Sequence, residues 1–461
     1  MSDKKFSDVL DNVPDYKTFY TVDELNDSSE KLAAEHPDKV SLFEIGRSKR
    51  GETIKALRIG DGKLNALLFG FPHPNEPIGS MMLEYLSRRL VEDDALREEL
   101  DFTWYLVKCA DPDGARLNEG WFKGPFTPLN YALNFYRPPG YLQIEWTFPI
   151  EYKTLKWDKP VPETKALMNL MNKVKFDFMY SLHNSGFGGV YFYVSDRCPP
   201  LYPIFQKLAR DEDLPLHLGE PEVPWAEKLA DAIFLMPTSK EAYEFYKEHT
   251  GKDPATIINY GTSSDDYARS VNPEVFTLVC EMPYYYDPRI EDTSNSDIKR
   301  RTAFLHGLDI SEGIYNFIKE KYGKAKSHLT VSSPFTIAIE DYLKHFPDNL
   351  AAERHWAETS PKVERLATVA EKFDSYVVRK VYGLLLLGEL VRLLDYELTH
   401  GKKNPELEKL KDEVKQEVHS RNQELEGELN YYVIPIRKLV KVQLGSALYT
   451  ANYIKEKRSN L

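Results

Sequence analysis

The feature that most constrains this chain is a series of short, almost uninterrupted apolar runs between residues 39 and 281, with helix-like stretches between them. Residues 65–71, 102–109, 176–183, 189–194 and 275–281 each read as a strand. Residues 39–45 and 54–59 read as two more, joined by the polar, Gly-containing turn 47–52. A strand that is apolar on both faces has no side to offer to water, so it must lie in a sheet with helices above and below. Two of the helices are readable. Residues 77–92 follow the strand 65–71, and Pro77 suits a first helical position because its missing N–H would have no partner there. Residues 162–175 set Leu167, Leu170, Met171 and Val174 on one face. The expectation is an α/β fold whose central sheet is covered by helices on both faces.

After about residue 325 the strand pattern stops. Residues 334–345, 351–372, 375–400, 405–427 and 433–455 all read as helices, with Gly401 and Pro405 breaking the pattern between two of them. The chain of 461 residues therefore divides into residues 1–325, which hold the α/β pattern, and an all-α region, 326–461. Within residues 406–428 the main apolar positions are Leu410, Val414, Val418 and Leu425, the spacing of a solvated or coiled-coil helix. The helical region is expected to pack against the first part or against a second subunit, giving a homo-oligomer. A formal net charge of -12 without a long basic run argues against nucleic acid as a partner. Cys109, Cys198 and Cys280 are too few and too far apart for a disulfide framework. The most apolar stretch, around Leu384 to Leu387, is too short to span a bilayer. The start, Met1 to Phe6, leads into polar sequence without an apolar core, so no signal peptide is expected. These readings point to a cytoplasmic protein that needs no membrane.

Chemically useful side chains gather at strand ends. His73 and Glu76 follow the strand 65–71, Asp111 to Gly114 follow the strand 102–109, and His183 and Glu281 each close a strand. In open α/β sheets, ligands bind beyond the carboxyl ends of the strands. A lone loop histidine is commonplace, and so is an HxxE pair. A carboxylate ending an apolar strand, as Glu281 does, is costly unless it faces a site or a partner. Pro74 and Pro77 exclude a helix across the HxxE pair, and no HExxH occurs. Two imidazoles and one carboxylate, His73, His183 and Glu76, form a known ligand set for a catalytic zinc ion with an open fourth position.

Together these pieces resemble the zinc metallocarboxypeptidase family over roughly residues 15 to 320. The order His73, Glu76, His183, Glu281 matches. Asp111-Pro112-Asp113-Gly114 is similar to the family's NPDG turn. Gly261-Thr262-Ser263-Ser264-Asp265-Asp266-Tyr267 is similar to its GSSDD segment, and Pro162-Glu163-Thr164 to its PET. The resemblance implies a mixed central sheet, a Zn²⁺ cofactor on His73, Glu76 and His183, Glu281 as general base, and cleavage of a C-terminal peptide or amide bond. It implies Arg116 as the guanidinium that polarises the scissile carbonyl. It implies Asn134 and Arg137, in the altered stretch Leu133-Asn134-Phe135-Tyr136-Arg137, as the grip on the substrate carboxylate. It further implies Tyr260 as a capping tyrosine and Asp265 as the floor of a side-chain pocket that takes a cation. No inhibitory pro-segment is expected. Two other readings stay open: a zinc deacylase of amino acids on the same fold, and a metal-free binding or scaffold protein.

Overall fold

The computed structural model describes residues 5–459, so Met1 to Lys4, part of the stretch from which the lack of a signal peptide was read, lie outside the described residues. Nine strands form one mixed sheet: β1 (Val40–Arg47), β2 (Thr53–Ile59), β3 (Leu64–Phe69), β4 (Phe102–Val107), β5 (Phe178–Ser181), β6 (Tyr191–Val194), β7 (Lys228–Ala230), β8 (Ile233–Leu235) and β9 (Phe276–Glu281). Their spatial order is β1-β2-β4-β3-β5-β9-β6-β8-β7. The centre is parallel: β3 pairs with β4 and β5, and β5 pairs with β9. β6 then runs antiparallel to β9. The expected strands are all present, with no end shifted by more than two residues. Lys228–Ala230 and Ile233–Leu235 carried no strand signal and pair at the far edge.

The doubly apolar strands are explained by which neighbours each side chain meets. Ala66, Leu68, Phe178 and Tyr180 face one core, shared with Ile78, Met82 and Leu86 of the helix Ile78–Glu92 and with Leu444 and Leu448 of the helix Ile436–Ser459. Leu67, Phe69 and Met179 face the other, shared with Ala166, Leu167, Leu170 and Met171 of the helix Pro162–Lys173. Successive strand residues point to opposite faces, so both layers are needed to bury one strand. Each such aliphatic side chain contributes about 1.5–3 kcal/mol relative to exposure.

The helices Arg300–Ala325, Pro334–Thr359, Arg379–His400 and Pro405–Glu428 make a further body of packed helices. Two details differ from expectation. Pro334–Thr359 is one helix that runs through Pro347, where a break between 345 and 351 was expected. Residues expected to continue as helix up to 372 instead form the short strand Leu366–Thr368 and the helix Val369–Phe373. In Pro405–Glu428 the spaced apolar residues Leu410, Val414, Val418 and Leu425 are buried, joined by Leu407. The last helix, Ile436–Ser459, leaves this body and lies against the sheet, where the Gln443 amide donates to the carbonyl of His183 at 2.9 Å. Among the described residues, no helix is long and apolar enough to cross a membrane.

Candidate metal centre

The parallel run β3-β5-β9 places three carboxyl ends side by side. β3 ends at Phe69, Phe71 turns the chain with a positive φ of 53°, and His73 follows. β5 ends at Ser181 and delivers His183 two residues on. Glu281 is the last residue of β9, paired across to Tyr191 of β6. The Asn184 side chain accepts from the Ile78 backbone N–H at 3.1 Å, and the Asn184 N–H donates to Glu76 Oε2 at 3.2 Å. The loop after β5 is thereby tied to the segment carrying His73 and Glu76.

Both imidazoles turn Nδ1 toward one carboxylate. His73 Nδ1 lies 3.0 Å from Glu76 Oε1, and His183 Nδ1 lies 3.1 Å from Glu76 Oε2. One ligand atom from each of the three residues falls within 4.8 Å of the others, and all three side chains are buried. Two imidazole nitrogens and a carboxylate oxygen at this spacing suit a zinc ion. The outer nitrogen of His183, Nε2, meets Ser181 Oγ at 2.9 Å and lies 3.8 Å from Glu145 Oε2. Such a second contact fixes ring orientation in metal-binding histidines. His73 Nε2 is buried without a hydrogen-bond partner among the described residues. Arg137 faces the same ligands: Nη2 is 2.8 Å from His73 Nδ1 and Nη1 is 3.2 Å from Glu76 Oε1. A metal on Nδ1 and this guanidinium therefore compete for one cationic position.

Burial, with Arg137 adding to it, lowers the pKa of His73 to about 4 and keeps the ring neutral, the form a metal requires. Burial opposes charge on His183, yet Glu145 and Glu76 outweigh it and raise its pKa. Burial likewise opposes charge on Glu76, but the imidazoles hold it ionised. Glu281 has its pKa raised well above the ordinary carboxylate value by burial, against the pull of His183, whose Nδ1 is 3.7 Å away.

These groups line a cavity of about 600 Å³. The carboxyl ends of the central strands supply one wall. The helical body supplies another through Ile314, Tyr342, Phe346 and Tyr382.

The remaining expected residues are placed as follows. Arg137 lines the cavity, and its loop is held from three sides. Asn118 brackets the backbone of Tyr136, the Arg137 N–H donates to Glu389 at 3.3 Å, and Arg392 donates to the carbonyls of Asn134 and Phe135. Arg116 is corrected: it lies outside the cavity, ion-paired with Asp23 and Glu52, so its guanidinium is spent on surface carboxylates. Asn134 is corrected too. Its amide donates to Asn130 on the preceding helical turn, and it does not line the cavity. Tyr260 does not line the cavity; its ring packs against Trp146, centroids 5.8 Å apart. Asp265 is 4% exposed, with Oδ1 unpartnered. It lies outside the cavity wall, and Arg269, its nearest guanidinium in sequence, pairs with Asp196.

Glu145 was missed. It accepts from the Ser264 N–H and Oγ at 2.9 and 2.7 Å and from Ser181 Oγ at 3.1 Å. Its signal was the one that exposed Glu281, a carboxylate among apolar neighbours (Leu142, Ile144, Trp146). Tyr191 and Tyr193 were also legible in principle, being two apart on a strand and so on one face. Glu222, in a proline-flanked loop, carried no signal.

Residues 25–137 match the family model described as zinc carboxypeptidase. Zinc carboxypeptidase A 1 of Anopheles gambiae is 31% identical over 128 residues, 24% of this chain and 29% of that protein. Carboxypeptidase A1 of Bos taurus is 30% identical over 113 residues, 22% of this chain and 26% of that protein. The chain thus spans less than a third of the length of these two curated relatives. The solved carboxypeptidase A of Helicoverpa armigera is 14% identical, with a TM-score of 0.39 and coverage of 78% of this chain and 80% of that one. Over residues 25–137, which supply His73, Glu76 and Arg137, the chain is similar to the zinc carboxypeptidases.

Proposed function

We propose that this chain is a zinc-dependent hydrolase that cleaves a C-terminal peptide or amide bond. The observation that supports this most is the convergence of His73 Nδ1 and His183 Nδ1 on Glu76, with Glu281 3.7 Å from His183 Nδ1 at the rim of the same cavity. Zinc, when bound by His73, Glu76 and His183, supplies Lewis acidity toward the carbonyl and the attacking water. Glu281 takes the proton of that water and returns it to the leaving amine. A carboxylate whose burial raises its pKa is suited to hold a proton between the two transfers. Arg137, not Arg116, is the guanidinium within reach of the reacting carbonyl or of a substrate carboxylate, and its fork geometry suits either oxyanion.

The cavity volume of about 600 Å³ is that of a small-molecule site. Cleavage of a short acylated amino acid is therefore the second reading, with the same residues. The test is hydrolysis of N-acyl dipeptides and N-acyl amino acids by the zinc-loaded protein. Release of the C-terminal residue, lost with a chelator and restored by zinc, supports the first reading. Release of the acyl group alone supports the second. Glu281→Gln should keep zinc and lower kcat by about 10²–10⁴-fold. A Glu281→Gln protein as active as wild type would remove Glu281 from the mechanism.

A further inference from the structure

Beyond the metal ligands the cavity continues along β6. Antiparallel pairing sets Tyr191 opposite Glu281 and Tyr193 opposite Val279, so both tyrosines lie on the face that carries Glu281. Both line the cavity, as does Tyr382 from the helix Arg379–His400, 41% exposed. The Tyr193 hydroxyl donates to Glu222 Oε2 at 2.8 Å and holds that carboxylate at the cavity wall. Among the described residues no cation lies within 4 Å of Glu222. Arg137 stands against His73 and Glu76, and Arg379, the other arginine of the wall, lies 3.5 Å from Glu353. Glu222, Glu281, Tyr191 and Tyr382 all line this one cavity. Two further buried polar groups, Glu281 and Ser185, line the same cavity. Glu281 is 7% exposed, with His183 Nδ1 3.7 Å away as its neighbouring ring nitrogen, and Ser185 Oγ is unpartnered.

We propose that Tyr191, Tyr193, Tyr382 and Glu222 form a cation-binding subsite beside Glu281, which takes an ammonium or guanidinium group of the substrate. Tyrosine faces attract a cation through the ring quadrupole, and Glu222 adds the counter-charge. Asp265, sealed outside the cavity, is not part of the subsite. The proposal deepens the hydrolase reading and rests on it for the word substrate, but binding of the cation is testable without turnover.

The test is calorimetric titration of the zinc-loaded protein with butylguanidinium and with butylurea, its neutral counterpart of the same shape. The subsite predicts that wild type binds butylguanidinium at least tenfold more tightly than butylurea. Glu222→Gln, on an exposed loop, should erase most of that ratio, and Tyr193→Phe should reduce it. Equal binding of the two probes, or an unchanged ratio in Glu222→Gln, overturns the proposal. In the hydrolysis assay, N-acyl dipeptides ending in arginine should exceed those ending in citrulline in kcat/KM, by a lower KM. A protein that binds butylguanidinium through Glu222 but cleaves no peptide would contradict the peptidase reading and leave the subsite standing.

Discussion

A buried carboxylate without a cation keeps its proton, and Asp265 shows what that does to stability. Burial raises its pKa from 3.8 to about 7. Between those values the folded protein holds a proton that the unfolded chain has released. The stability this contributes is therefore complete below pH ~4 and lost as pH rises through ~7, by about 1.4 kcal/mol per unit. Asp265→Asn should flatten that slope: urea denaturation between pH 4.5 and 7 should show the variant losing about 1 kcal/mol per unit less than wild type. Equal slopes would mean that Asp265 is ionised in the folded protein. The residues legible in the sequence were those whose meaning is local. His73, Glu76, His183 and Glu281 stand at strand ends, and a strand end is visible in the apolar pattern. Arg116 and Asn134 were misplaced because a guanidinium or an amide is committed by whichever partner the fold brings near. Asp23 and Glu52 for Arg116, and Asn130 for Asn134, left no trace in spacing.

The helix Arg379–His400 decides how the Arg137 loop is held. At Gly388 it crosses the helix Pro128–Asn134 so closely that a Cβ would sit 1.9 Å from the carbonyl oxygen of Ala132. That neighbour is backbone and cannot rotate away. Gly388→Ala should cost about 1–3 kcal/mol of stability, the range for overpacking. It should also lower kcat/KM, because the displaced segment leads into Arg137. Gly427, in the helix Pro405–Glu428, has nothing within 4 Å of its would-be Cβ. Gly427→Ala should stabilise by about 0.5–1 kcal/mol through helix propensity alone. Thermal melts of both variants check the pair, and a tolerated Gly388→Ala would mean the helices are not in register there. The helix Pro334–Thr359 shows why some elements were misread. Pro347 costs it a hydrogen bond, a local penalty of about 3 kcal/mol. Phe335 and Ile339 before it and Ala352 and Trp356 after it are all buried, and their packing outweighs the break.

Across the whole molecule, the sequence divides more sharply than the structure does. The apolar runs specified the sheet and its two covering layers, whereas the change of pattern read near residue 325 falls at the end of the helix Arg300–Ala325, which already belongs to the helical body. No local signal revealed that the last helix returns to the sheet. Leu439, Val440, Val442, Leu444 and Leu448 of Ile436–Ser459 are each no more than 1% exposed. At about 1.5–3 kcal/mol per side chain, their burial is comparable to the whole net stability of a domain, about 5–15 kcal/mol. A chain ending at residue 435 should therefore be insoluble or lack a cooperative melt. A soluble, cooperatively melting product would show that the sheet does not need this layer. The central claim is that His73, Glu76 and His183 hold a catalytic zinc ion while Glu281 does not, and elemental analysis of the purified protein and two variants tests it most directly. One zinc per chain is predicted for wild type and for Glu281→Gln, and none for His183→Ala. No zinc in wild type after incubation with the metal, or loss of zinc in Glu281→Gln, would contradict it.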